Sequence, residues 1–326
     1  VTLNSNGVTF TYTPDSNYNG TDTWIQVGED IEGKASADYS GWKVSLNDDG
    51  TRIAIVSSGN DDNGNNTGHV RVWEYSNADM TSGGSWTQIG QNIVGIGTTN
   101  LEINNVTLNG DGSIVVTVES EANNPDYHNN NEGLVRVWLY NGTDTWTQIG
   151  QNIYGEEGDD YYGALGAAIN STGDIFASGS SQNDSQGYNA NNGMVSVWKY
   201  TTPGQTGGVW EKLGSTIYGN PDDNDAEFSG QLDLSDDGLT LAVSIGNYDG
   251  LTYQGGGVKL YKYDSNSSEW VENGIIGGDL TGYYFARSRL AMSGNASVVI
   301  GSYTAYSTSS GNVAVYRITE PAPQLN

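Results

Sequence analysis

The chain has 326 residues, of which 39 are acidic and only 12 basic, giving a net charge of −27. Nucleic acid as a partner is excluded by that balance, because phosphates need a basic stripe to meet them, and so is docking on anionic membranes. The absence of cysteine excludes disulfides, thiolate catalysis and cysteine-ligated metal, and no apolar run approaches the length that spans a bilayer.

Residues 1–23 read as an extra strand and a linker. Within them Gly7–Tyr12 (GVTFTY) is a glycine-led alternating run, either an additional edge strand or the remnant of a preceding repeat. From Trp24 onward the chain repeats. Trp24, Trp86, Trp146, Trp210 and Trp270 open successive copies at spacings of 86−24=62, 146−86=60, 210−146=64 and 270−210=60. A fixed period in this range marks a solenoid, propeller or array.

Three further runs recur in phase with the Trp. An apolar strand ends in a polar turn (WKVSLNDDG, NVTLNGDG, GAAINSTG, LDLSDDG, LAMSGN). A second strand comes directly after it (RIAIVSS, IVVTVES, IFASGSS, TLAVSIG, SVVIGS), and then a glycine-led strand (GHVRVWEY, GLVRVWLY, GMVSVWKY, GGVKLYKY, GNVAVYRI). Each is short, rich in β-branched and aromatic residues and bounded by Gly, Asn, Asp or Ser, which predicts strands throughout.

Four strands per copy predict an all-β protein, a β-propeller of five blades of four antiparallel strands over residues 24–319. Residues 320–326 form a short Pro-containing tail. The last copy lacks its own Trp strand, and Trp24 lacks inner strands before it. The Trp24 strand is therefore predicted to close the ring by completing the fifth blade.

The repeats resemble the FG-GAP-type propeller family of the integrin α-subunit head. The resemblance lies in an aromatic–small pair before the inner strand (Tyr39-Ser40-Gly41, Tyr162-Gly163, Phe228-Ser229, Phe285-Ala286), then a turn and a GxVxVW/Y strand. The family's Gly-Ala-Pro element is absent. The resemblance implies calcium in D-x-D-x-D-G loops, but the matching turns here, such as Asn47-Asp48-Asp49-Gly50, are short and read as hairpin turns. Longer acidic loops are the calcium candidates, with Asp61, Asp62, Asp159, Asp160, Asp222, Asp223 and Asp225 as ligands. Hard cations take six to eight oxygens from such irregular loops. A solvated acidic surface is the alternative reading.

The loops joining the Trp strand to the next inner strand, and the second strand to the glycine-led strand, are predicted to share one face. They carry Tyr39, Trp42, Tyr161, Tyr162, Phe228, Tyr283 and Tyr284 among carboxylates and amides. Rings beside such groups suit a glycan, whose C–H faces stack while its hydroxyls bond, and they suit a protein partner equally. They also fit as plugs of the channel mouth.

His69 and His128 show no sign of a Ser-His-Asp triad. Glu102 and Asp233, near the inner strands, are candidate carboxylates for glycoside hydrolysis but sit in no known motif. The expectation is a secreted, non-catalytic binding or adhesion module at a cell or virion surface, recognising a glycan or an extracellular protein, with calcium as its only cofactor. The alternatives are a structural subunit of an extracellular or viral assembly, in which self-association is expected, and a glycosidase-like enzyme.

Overall fold

The computed structural model describes residues 25–77, 83–96, 102–126, 131–164, 166–183, 192–219, 228–246, 255–277, 285–303 and 312–317. These residues form strands and turns with no helix, arranged as the five antiparallel blades of a β-propeller.

Blade 1 comprises β1 (Ser40–Leu46), β2 (Arg52–Ser57), β3 (His69–Tyr75), β4 (Trp86–Gln88) and β5 (Ile93–Val94). Blade 2 comprises β6 (Asn105–Leu108), β7 (Ile114–Glu119), β8 (Leu134–Tyr140), β9 (Trp146–Gln148) and β10 (Ile153–Tyr154). Blade 3 comprises β11 (Ala167–Ile169), β12 (Ile175–Ser180), β13 (Met194–Tyr200), β14 (Trp210–Lys212) and β15 (Ile217–Tyr218). Blade 4 comprises β16 (Phe228–Leu234), β17 (Thr240–Ile245), β18 (Gly257–Asp264) and β19 (Glu269–Gly277). The described strands of blade 5 are β20 (Phe285–Met292), β21 (Val298–Tyr303) and β22 (Asn312–Arg317).

The outer position of a blade is thus one strand in blade 4 and two short strands in blades 1 to 3. Register explains the difference. Between Trp198↔Lys212 and Val195↔Ile217, two residues of β13 oppose four of the outer segment, and the ladder breaks. Between Val258↔Ile276 and Tyr261↔Glu272 the outer segment is one residue shorter, and the excess is absorbed as a single β-bulge.

The inner hairpins close by one device. Asn109 Oδ1 accepts the Ile114 N–H at 2.8 Å and Asp111 Oδ1 that of Ser113 at 2.8 Å, with Gly112 at φ 67°. Asn47/Asp49 and Ser235/Asp237 serve the same ends in blades 1 and 4, while in blade 3 Asn170 Oδ1 accepts the Ile175 N–H and Asn170 Nδ2 donates to Asp174 Oδ1. These turns also bond to one another around the centre, main chain to main chain: Asp48 N–H to Gly110 O, Gly110 N–H to Ser171 O, Ser171 N–H to Asp236 O, and Asp236 N–H to Gly294 O.

Hydrophobic clusters fill the four seams between successive blades. Alternation along the third strand sets which side chain serves which seam. Counting from the glycine before the strand, the residues two and four on, such as Val70 and Val72 or Val195 and Val197, pack on the following blade. The aromatic five on, such as Trp138 or Trp198, packs toward the preceding one. Three Trp of the repeat tie seams: Trp146 Nε1 donates to Ile89 O at 2.9 Å, Trp210 Nε1 to Ile149 O at 3.0 Å, and Trp270 Nε1 to Leu213 O at 2.7 Å. Gln91 and Gln151 clamp the backbone of the next Trp with both amide atoms.

Trp24, whose strand is expected to close blade 5, lies outside the described residues, and residues 25–33 after it carry no strand. The residues after it dock on blade 1 as the outer edge of a preceding blade would: Val27 O accepts from Trp86 Nε1 at 2.9 Å, and Glu32 O accepts from Arg71 Nη2 as Val94 O does from Arg136 Nη2. The inner side of that position is bare among the described residues. Leu46 is 57% exposed where Leu108 and Leu234 are buried; Ile300 and Val315 of blade 5 are 40% and 63% exposed where every counterpart in blades 1 to 4 is buried.

Candidate binding face

The two sets of connecting loops do share one face, and hydrogen bonds knit them across blades. Asn131, in the loop between β7 and β8, donates through Nδ2 to Asp159 Oδ1 at 3.1 Å and to the Tyr161 hydroxyl at 3.2 Å. Asp160 is buried and organises its neighbourhood: Oδ2 accepts the Glu156 and Glu157 N–H groups at 2.9 Å, and Oδ1 accepts from Asn183 Nδ2 at 3.0 Å. Burial pushes its carboxyl up to about 6, against the pull of those hydrogen bonds.

The first acidic loop is built differently. Asp61 Oδ1 accepts the Asn66 N–H at 2.7 Å. Asp62 Oδ2 takes three donors, Asn92 Nδ2 at 2.6 Å, Lys34 Nζ at 3.1 Å and His69 Nδ1 at 3.1 Å. Burial alone would raise the Asp62 carboxyl, but those donors outweigh it and hold the group below its ordinary range. His69 is fully buried, and desolvation pushes its pKa down, so the neutral imidazole donates to Asp62. Sequence reading missed this His–Asp pair, whose partners lie seven residues apart across an irregular loop. Being enclosed, it positions the loop and offers no base to a substrate.

Calcium, the cofactor the family resemblance implies, is not matched by these carboxylates. Asp61, Asp62, Asp159 and Asp160 spend oxygens on protein N–H donors, and Lys34 stands where a cation would. Among the described residues no three His, Asp or Glu side chains gather as a metal group. Asp222, Asp223 and Asp225 lie outside the described residues.

The aromatic candidates divide sharply. Tyr162 and Phe228 are fully buried in the seams before blades 3 and 4, so neither presents a surface to a ligand. The Tyr162 hydroxyl accepts from Trp198 Nε1 at 3.0 Å, and burial raises its pKa far above the ordinary tyrosine value. Tyr161 is half-buried, with φ 49°. Tyr39 and Trp42 are exposed, both on the bare flank of blade 1. Tyr283, Tyr284 and His128 lie outside the described residues. Of the carboxylates considered for hydrolysis, Asp233 accepts the Leu234 N–H at 2.8 Å and the Met292 N–H at 2.7 Å, bracing blade 4 against blade 5. Burial, and then the neighbouring Glu121, raise Glu102.

An open groove of about 550 Å³ lies at the rim of this face between blades 2 and 3. Asn124, Asp126, Asn152, Tyr154 and Trp198 are among its walls. Asn152 Nδ2 donates to the Tyr154 hydroxyl at 3.3 Å, and Lys212 Nζ lies 5.7 Å from the centre of the Trp198 ring. No sequence motif points to this groove, because its residues belong to two repeats and meet only across a seam.

No family model matches the chain, and no curated protein does. Among solved structures, it is similar to the periplasmic gluconolactonase PpgL of Pseudomonas aeruginosa, at 12% identity and a TM-score of 0.48, over 79% of this chain and 63% of that one. Saccharomyces cerevisiae Sqt1 aligns at 13% identity and 0.49, over 82% of this chain and 57% of Sqt1. A putative TolB from Agrobacterium tumefaciens aligns at 11% and 0.43, over 84% and 76%. The chain spans less than two thirds of the length of PpgL and of Sqt1. Likeness at this level carries no functional argument.

Proposed function

We propose that the protein is a non-catalytic binding module, of FG-GAP-like kinship, that recognises a glycan through the groove between blades 2 and 3. The groove carries this reading. Its volume falls in the range of small-molecule sites, and it sets the Tyr154 ring beside the amides of Asn124 and Asn152 and the Asp126 carboxylate, groups suited to a sugar's C–H face and hydroxyls. The acidic, cysteine-free composition supports a place at a cell or virion surface, and the variable loops on a rigid scaffold support an adhesive role. The calcium part of the reading rests with the loop of Asp222, Asp223 and Asp225.

A glycan array followed by calorimetry on the hits tests the proposal. Binding that Tyr154→Ala and Asp126→Ala weaken about tenfold or more, roughly 1.4 kcal/mol, and that Trp42→Ala leaves unchanged, supports it. An array without hits, or hits indifferent to Tyr154→Ala, sinks it. Thermal unfolding in millimolar calcium tests the metal, since a ligand of the folded form alone must raise Tm. A shift reversed by chelator supports assistance, and no shift removes calcium from the reading.

A further inference from the structure

Two apolar faces have no cover among the described residues: the side of blade 1 carrying Val44 and Leu46, and the side of blade 5 carrying Ile300 and Val315. They are the two halves of a seam, since residues at the same repeat positions fill the other seams. Ser40 stands at the position of Phe228, pairing with Ser57 as Phe228 pairs with Ile245, so blade 1 brings a small residue where Phe228 and Phe285 fill their seams, and Tyr39 before it is 64% exposed.

We propose that Gly7–Tyr12 is the third strand of a further blade unit that enters between blades 5 and 1, in a hairpin with the Trp24 strand. Three observations carry this. First, the repeat phase fits. The glycine before each third strand stands ahead of its Trp by 86−68=18, 146−133=13, 210−193=17 and 270−256=14 residues, and Gly7 stands ahead of Trp24 by 24−7=17. Five residues after the glycine comes Trp73, Trp138, Trp198, Tyr261 or Tyr316, and after Gly7 comes Tyr12.

Second, the glycine has a structural reason. Gly68, Gly133 and Gly193 have φ between 71° and 80°, and a Cβ on Gly133 or Gly193 would stand 2.3 Å from Tyr162 N or 2.1 Å from Phe228 O of the next blade. Gly7 in the same role abuts the backbone of Ser40, which pairs with Ser57 as Phe228 pairs with Ile245. Third, the chain directly after Trp24 is already docked on blade 1 through Val27 and Glu32, so the hairpin starts at the edge of the bare face.

In this phase Thr9 and Thr11 face Val44 and Leu46, while Val8, Phe10 and Tyr12 face Ile300 and Val315. A hairpin contiguous in sequence also closes a far shorter loop than pairing of Trp24 with β22, whose first residue is Asn312.

The chain has no cysteine, so engineered pairs report the geometry directly. In Thr11→Cys/Leu46→Cys the expected result is an intrachain disulfide, read as a reductant-sensitive mobility shift of the monomer. Val315→Cys/Leu46→Cys sets blade 5 directly against blade 1 and is expected not to cross-link. A disulfide in the second pair instead of the first, an interchain dimer, or no cross-link in either pair each overturns the proposal: the first shows direct closure, the second a second copy on the flank, the third a face left bare. Deletion of residues 1–23 is an independent check. It is expected to raise binding of an apolar-surface dye and lower Tm, and unchanged values of both overturn the assignment.

Discussion

The seam between blades 2 and 3 and the flank of blade 1 are built from the same repeat positions and behave oppositely. In the seam, Trp210 is buried, its indole bonds to Ile149 O, Gln151 clamps its backbone, and Tyr162 fills the core beneath. On the flank, Trp86 keeps the equivalent indole bond to Val27 O, but Glu29 stands where Gln151 would, and Leu46 has no cover among the described residues. The difference teaches that the repeat motif encodes half a seam. Burial of its aromatic residue is a property of the blade in front of it, absent from the motif's own residues.

Six substitutions sharpen that contrast. The largest effect is expected of Trp146→Ala, which empties the seam between blades 1 and 2 and orphans Ile89 O; a loss of about 3–5 kcal/mol in denaturant unfolding checks it. Next comes a matched pair: Leu108→Ala is expected to lose about 2–4 kcal/mol, but Leu46→Ala, at the same repeat position, less than about 0.5 kcal/mol in a chain shortened by residues 1–23 and clearly more in the full chain. Equal losses at Leu46 in the two chains would show that residues 1–23 do not cover the flank.

Asp160 gives a pH signature. Its carboxyl is raised to about 6 from 3.8, so the folded state holds the proton more tightly than the unfolded one. The stability this contributes is complete below about 3.8 and lost as pH rises through about 6. Relative to Asp160→Asn, which has no such titration, the native protein is expected to lose on the order of 2 kcal/mol between about pH 4 and 6.5. Tm curves of the two proteins against pH check this, and a gap that widens in the opposite sense refutes it. The smallest effect is expected of Gln151→Glu, which removes the donor to Trp210 O and costs about 1 kcal/mol; Glu29→Gln on the flank is expected to change stability by only a few tenths.

Strands and turns were legible because their causes are local. Asn109, Asp111 and Gly112 fold their own hairpin, and the β-branched run in IVVTVE favours a strand by itself. The aromatic–small pair was legible as a motif but not in its meaning. Its small member is required where φ turns positive, as at Gly163 (81°), Ser229 (67°) and Ala286 (59°), and the aromatic enters the seam before it. Reading Tyr162 and Phe228 as ligand contacts took their place near the loop face for exposure. The groove and the His69–Asp62 pair were illegible for a related reason: each depends on residues brought together by seams or irregular loops, where no periodicity speaks.

The turn-to-turn bonds at the centre join main chain to main chain, from Asp48 to Gly110, Ser171, Asp236 and Gly294. A link of that kind is carried by the main chain: it asks of a newcomer a free N–H, a carbonyl and a hairpin of the right length, so proline is refused, and beside the Asp236 carboxylate the turn takes glycine, Gly294. A repeat of about sixty codons can therefore be duplicated, lost or exchanged in a lineage without retuning its neighbours' turns. Copy number becomes a heritable variable, and selection on the outer loops is free to run separately in each cassette.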